Sequence, residues 1–178
     1  MTPRGPHLVL VGMMGAGKTT AGTLVADQLA RPFLDSDAEI EARTGRTVRE
    51  IFAAEGEGAF RRIEAEVLRE ALGSATPAVV AAAGGTVLDA DNRRAMREAG
   101  TVVWLRARPD VLATRAEQGE HRPLIDDDPV GVLTRLSTDR EALYGEVADV
   151  VVDTDQVPLD DLVAHLVALA LAPAEAAP

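Results

Sequence analysis

Residues 8–29 read LVLVGMMGAGKTTAGTLVADQL, and within them Gly12-Met13-Met14-Gly15-Ala16-Gly17-Lys18-Thr19 completes the pattern G-x-x-x-x-G-K-[ST]. The apolar run at 8–11 reads as a buried strand, and the residues from Thr19 onward carry apolar side chains at helical spacing. Strand, glycine loop and helix in that order are the setting in which this pattern cradles phosphate. The glycines let successive backbone N–H groups curl around an anion at the start of a helix, where the helix dipole favours negative charge. Lys18 is placed to reach the outer phosphates, and the Thr19 hydroxyl to ligate Mg²⁺.

Working outward, residues 32–35, PFLD, form a short strand ending in an acid. Residues 36–54 suit one or two short helices around Gly45. Residues 58–72 suit a longer helix with Phe60, Ile63, Val67, Leu68 and Ala71 on one face. The run AVVAA at 78–82 has the unbroken apolar character of a strand covered on both sides, and Gly84-Gly85 ends it. A helix at 91–99 has Asp91 as its N-cap and Gly100 as its stop. A strand at 101–105, a helix from Pro109 to about 118, a helix at 129–147, a strand at 149–152 and a closing helix at 159–171 complete the pattern. Residues 116–127 are polar and aperiodic and read as a mobile loop; 173–178 read as a frayed tail. Short strands alternating with helices predict an α/β fold with a parallel sheet covered on both faces. Ligands of such sheets lie beyond the carboxyl ends of the strands. The glycine loop, Asp35 with Asp37, and Gly84 with Gly85 should therefore meet in one crevice.

A length of 178 residues suits one domain with a real core, and with aromatics at 3% that core has to be built from Ala, Val and Leu. The net charge of −11 argues against nucleic acid as the main partner, since binding a phosphate backbone needs a basic face. Nucleotides, held by a few local cations, remain compatible. With no cysteine, disulfides and thiolate chemistry are excluded. No stretch reads as a signal peptide or a membrane span, so a cytoplasmic protein without membrane contact is expected.

Three further segments offer chemistry. Asp35-Ser36-Asp37 supplies two carboxylates at a strand end. If the chain stays extended they point to the same side, one organising Mg²⁺ and the other accepting a proton; alternatively, Asp35 or Ser36 caps the next helix. In Phe60-Arg61-Arg62-Ile63-Glu64, Arg61 and Glu64 share a helix face, either as a surface ion pair or with Glu64 fixing Arg61 to grip a substrate carboxylate. In His121-Arg122-Pro123-Leu124-Ile125, a loop arginine could close over phosphates, while His121 reads as a solvated loop residue. Trp104 and Tyr144 read as packing residues.

Taken together, GMMGAGKTT, FLDSDAEIEARTGRTVREIF, GEGAFRRIE, AGG, HRPLI and DREALY resemble shikimate kinases, in the family's order and across about residues 8–152. The resemblance implies transfer of the γ-phosphoryl of ATP to the 3-hydroxyl of shikimate, in aromatic amino-acid biosynthesis. A kinase of another small hydroxylated acid and a weakly catalytic nucleotide-binding module are the alternatives. It implies a three-layer P-loop fold with a five-stranded parallel sheet. The core would comprise 8–35, 75–112 and 127–171, with a substrate-binding insert at about 36–62 and a lid at about 116–127. Gly15, Ala16, Gly17, Lys18, Thr19 and Thr20 would hold ATP, with Thr19 and Asp35 serving Mg²⁺. Asp37 would bind the acceptor hydroxyls and act as base. Arg61 and Arg140 would clamp the carboxylate, and Gly84 and Gly85 would touch the substrate. Arg122 would reach ATP from the lid and Arg115 would flank the adenine. The expected partners are ATP and shikimate alone, and the expected state a monomer. Two departures stand out. Ala83 replaces a family glycine and Ala81 sits where a small hydroxyl residue often lies, and near 154–157 the frequent adenine-side arginine is missing. If position 83 needs a positive φ, its Cβ costs roughly 1 kcal/mol or more.

Overall fold

In a computed structural model, residues 5–117 and 128–172 are described. Five strands form one all-parallel sheet in the order β2-β3-β1-β4-β5. They are β1 (His7–Val11), β2 (Phe33–Asp35), β3 (Val79–Ala81), β4 (Gly100–Arg106) and β5 (Val150–Asp153). The helices are α1 (Lys18–Leu29), α2 (Ser36–Thr44), α3 (Val48–Leu72), α4 (Ala90–Ala99), α5 (Pro109–Glu117), α6 (Pro129–Val147) and α7 (Leu159–Leu171), with a 3₁₀ turn at Thr86–Leu88. Every residue of β1 is buried, because helices cover both faces. One helix group is α1 packed on α7, and the other is α4 packed between α3 and α6. The core is aliphatic, with Leu8, Leu10, Val79, Val102, Val103, Leu105 and Leu133 almost fully enclosed.

The strand order places β1 in the middle, with later strands added on either side. The chain therefore leaves the carboxyl ends of β1 and β3 in diverging directions and opens a crevice there. A second, smaller apolar cluster joins α2 to α3 through Ile40, Ile51, Phe60 and Val67, with the Phe52 and Phe60 rings 4.6 Å apart. At the opposite end of the sheet His7 is buried. The Ala78 N–H donates to its Nδ1, so the ring proton belongs on Nε2, which meets the Ser74 carbonyl at 2.9 Å.

Three local expectations need correction. The helix read as starting at residue 58 starts at Val48, where Thr47 and Glu50 form a reciprocal capping box. It bends at Gly56 (φ 79°, ψ 172°), so two helical runs share one element. The N-cap of α4 is Asp89, which accepts from the backbone N–H groups of Asp91 and Asn92; Asp91 lies in the first turn. The chain does not stay extended through Asp35-Ser36-Asp37, because α2 begins at Ser36. The loop at 116–127 and the tail at 173–178 lie outside the described residues, except that Ala116 and Glu117 end α5.

Candidate active site

The glycine loop follows β1 directly and runs into α1. Gly15 and Gly17 have φ of 78° and 94°, values that side chains with a Cβ rarely adopt. At Gly15 a Cβ would also strike the carbonyl oxygen of Leu112 in α5, so glycine is required twice over. Lys18 folds back over the loop, its Nζ donating to the carbonyls of Gly12 (2.8 Å) and Met13 (3.0 Å). Beyond the loop lies a cavity of about 480 Å³ lined by Gly15, Ala16, Gly17, Lys18, Thr19, Thr20 and Arg115, closed on the far side by Thr154, Val157 and Leu162. Arg115 is fixed there by two hydrogen bonds, to the Thr154 hydroxyl (3.0 Å) and carbonyl (2.9 Å). All the residues assigned to the nucleotide therefore line this cavity except Arg122, which lies outside the described residues.

A second cavity, of about 280 Å³, contains Asp35, Asp37, Arg61, Gly84, Gly85 and Arg140, and it too is lined by Lys18 and Thr19. Asp35 caps α2 and also binds the glycine-loop threonine. Its Oδ1 accepts from the backbone N–H groups of Asp37 and Ala38, while its Oδ2 accepts from the Thr19 hydroxyl at 2.6 Å. The helix turn at Ser36, rather than an extended chain, is what brings Asp37 to the same cavity as Asp35. Among the described residues no group of three or more His, Cys, Asp or Glu could hold a metal alone. A hydroxyl beside one carboxylate suits Mg²⁺, which keeps several waters and takes phosphate oxygens as its remaining ligands.

Arg61 is paired both with a buried carboxylate and with one at the surface. Its Nη1 donates to both oxygens of Glu64 (3.0 and 2.9 Å), and its other nitrogens reach Glu57 at the rim. Glu64 is only 1% exposed. Burial pushes its carboxyl up to about 7; the charge and hydrogen bonds of Arg61 pull the other way, and Asp37 adds to the rise. The guanidinium also lies 5.4 Å from the centre of the Phe60 ring and 6.0 Å from that of Phe52. A Cβ at position 85 would occupy the place of the Arg61 guanidinium, so Gly85 is glycine because an arginine passes over it.

Ala83 carries no strain. Among the described residues Ala30 alone combines a Cβ with a positive φ. The Ala83 N–H donates to the buried Ser36 hydroxyl (2.9 Å), and its carbonyl accepts from Thr86. Sequence reading passed over Ser36 in this role, and no local signal marks it, because the contact joins residues 47 apart. It also passed over Val48, Phe52, Leu136, Met13 and Met14, which form the apolar walls of the second cavity. Tyr144 is buried against Trp104 as expected of a packing residue, yet its hydroxyl donates to the Gly84 carbonyl at 2.7 Å.

The family model described as shikimate kinase matches residues 14–170. The chain belongs to this family. A shikimate kinase from Symbiobacterium thermophilum is 48% identical over 163 residues, covering 90% of this chain and 93% of that protein. One from Bordetella pertussis is 47% identical over 165 residues, covering 90% of this chain and 78% of that one. The solved shikimate kinase of Acinetobacter baumannii in complex with shikimate superposes with a TM-score of 0.88 at 39% identity, covering 95% of this chain and 94% of that one. The five-stranded sheet and its crevice are thus the architecture of shikimate kinases.

Proposed function

We propose that this protein transfers the γ-phosphoryl group of ATP to the 3-hydroxyl of shikimate, releasing ADP and shikimate 3-phosphate, within aromatic amino-acid biosynthesis. One observation carries the reading: the two cavities share Lys18 and Thr19, so a donor in one and an acceptor in the other meet at those side chains. The glycine loop, with Ala16 and Thr20, holds the ATP phosphates, and Arg115 flanks the base. Thr19 and Asp35 hold Mg²⁺, which neutralises phosphate charge when bound. Arg61 and Arg140 take the acceptor's carboxylate, a planar anion that the guanidinium fork matches. Gly84 and Gly85 offer backbone to the acceptor. Asp37 orients the acceptor hydroxyl and takes its proton as the oxygen attacks phosphorus. Lys18, with Arg122 from the lid at about 116–127, offsets charge on the transferring group. Residues 36–62, packed through Ile40, Ile51 and Phe60 onto Val67 further along α3, act as the acceptor-binding insert.

The two cavities are lined from within one chain, so the proposed reaction needs no residue from a second copy, and consumption of ATP suits the cytoplasm. No helix among the described residues is long and apolar enough to cross a membrane. Ala83 replaces the family glycine without backbone strain, and its methyl group lines the acceptor cavity, which is where a kinase of another small hydroxylated acid would differ.

The test is ADP release from ATP and Mg²⁺ with shikimate, with quinate and with no acceptor. Shikimate should stimulate release strongly, quinate far less. Arg61→Ala should lower kcat/KM for shikimate by at least about a hundredfold, the loss of a charged contact in a partly enclosed site. ATP binding without any shikimate-dependent release would overturn the proposal.

A further inference from the structure

The Gly84 carbonyl lies between two donors from α6. The Tyr144 hydroxyl reaches it at 2.7 Å and Arg140 Nη1 at 3.2 Å. Arg140 and Tyr144 are four residues apart, so both project from one face of the helix. Gly84 and Arg140 line the acceptor cavity, while Tyr144 does not. We propose that Tyr144 is a positioning residue for the acceptor, acting through the Gly84 carbonyl to set both the backbone at the end of β3 and the aim of Arg140.

The physical case rests on two donors sharing one oxygen, whose two lone pairs accept both. The shorter bond belongs to Tyr144, and Arg140, which also lines the acceptor cavity, gives Gly84 a single longer contact. Without the hydroxyl, Arg140 would be the partner left on the half-buried carbonyl and would be drawn closer to it. The guanidinium would then turn away from the acceptor carboxylate.

The phenol suits a permanent donor. It is 1% exposed, and burial pushes its pKa up to about 12, so its proton stays in place throughout the working range. Its ring is held in place from the other side by Trp104, stacked with centroids 5.4 Å apart and planes at 22°. Its oxygen also lies 3.6 Å from Met13 Sδ, which ties α6 to the glycine loop. Packing alone would need the ring and not the hydroxyl.

This inference rests on shikimate being the acceptor, and the experiment separates the two. In Tyr144→Phe the KM for shikimate should rise roughly tenfold, the size of one lost buried hydrogen bond, with the KM for ATP within about twofold of native. Trp104→Phe, which keeps the hydroxyl and an aromatic ring against it, should lower the melting temperature and raise the shikimate KM far less than Tyr144→Phe does. Tyr144 is the only tyrosine in the chain, so 3-fluorotyrosine supplied during growth labels this position alone. Its ¹⁹F resonance should shift on saturation with shikimate and stay put with ADP. An unchanged shikimate KM in Tyr144→Phe, an equal rise in Trp104→Phe, or a resonance blind to shikimate would overturn the inference. The labelled protein carries the test if Tyr144→Phe does not fold. A native protein that ignores shikimate would instead overturn the assignment of the acceptor.

Discussion

Glu64 shows how one buried side chain can govern both stability and binding. Its carboxyl is held near 7 by burial, well above its ordinary 4.5. The folded protein therefore binds this proton more tightly than the unfolded chain does. The stabilisation is complete below about pH 4.5 and is lost as the pH rises through 7. Between pH 5 and 8 this group alone should lower the unfolding free energy by on the order of 2–3 kcal/mol. Denaturant titrations of native protein and Glu64→Gln at both pH values check this: the variant should show a flatter dependence, and equal slopes would mean that Glu64 titrates normally. The arrival of a substrate carboxylate beside Arg61 raises the proton affinity of Glu64 further. Shikimate binding near pH 7.5 should then take up a fraction of a proton, read by calorimetry in buffers of different ionisation enthalpy, and the uptake should vanish in Glu64→Gln.

Two of the positive-φ positions at the helices, Ala30 and Gly56, have opposite consequences. Ala30 closes α1 in the left-handed region, with φ 51° on an exposed alanine. Ala30→Gly should raise stability by about 0.5–1 kcal/mol, relieved backbone strain outweighing the added freedom of the unfolded chain. Gly56 bends α3 at φ 79°, ψ 172°, in open space, so only the backbone restricts it. Gly56→Ala should cost about 1–3 kcal/mol of stability. It should also raise the KM for shikimate, because the run before the bend carries Val48 and Phe52 into the acceptor cavity. A thermal-melt series with steady-state kinetics separates the two effects. Most element boundaries were legible because capping and glycine chemistry are local. The start of α3 was not, since the bend at Gly56 resembles a helix boundary until the flanking runs are seen to continue as one element.

At the scale of the molecule, the net charge of −11 contrasts with the two cavities, which among the described residues are lined by four cations, Lys18, Arg61, Arg115 and Arg140. Both ligands should stabilise the folded state by mass action. ADP with Mg²⁺ and shikimate, each at about a hundred times its Kd, should together add roughly 5 kcal/mol and raise the melting temperature by more than 10 °C. Lys18→Ala should abolish most of the nucleotide's share and keep the shikimate share. Loss of both shares in that variant would mean that the cavities are not separable.

The glycine loop, the alternation of strands and helices, and the choice of Lys18, Thr19, Asp37 and Arg61 were all available from residue type and spacing. Such features depend on contacts between near neighbours in the chain, and side-chain chemistry alone constrains them. Arg140 and Arg115 came only from family resemblance, because an arginine in a polar helix looks solvated until the fold brings β3 or the Thr154 segment beside it. The hydroxyl of Tyr144 on Gly84, 60 residues away, and that of Ser36 on Ala83, 47 away, had no sequence signal at all. A hydrogen bond across the sheet is set by how the layers pack, and that geometry exists only once the chain has folded.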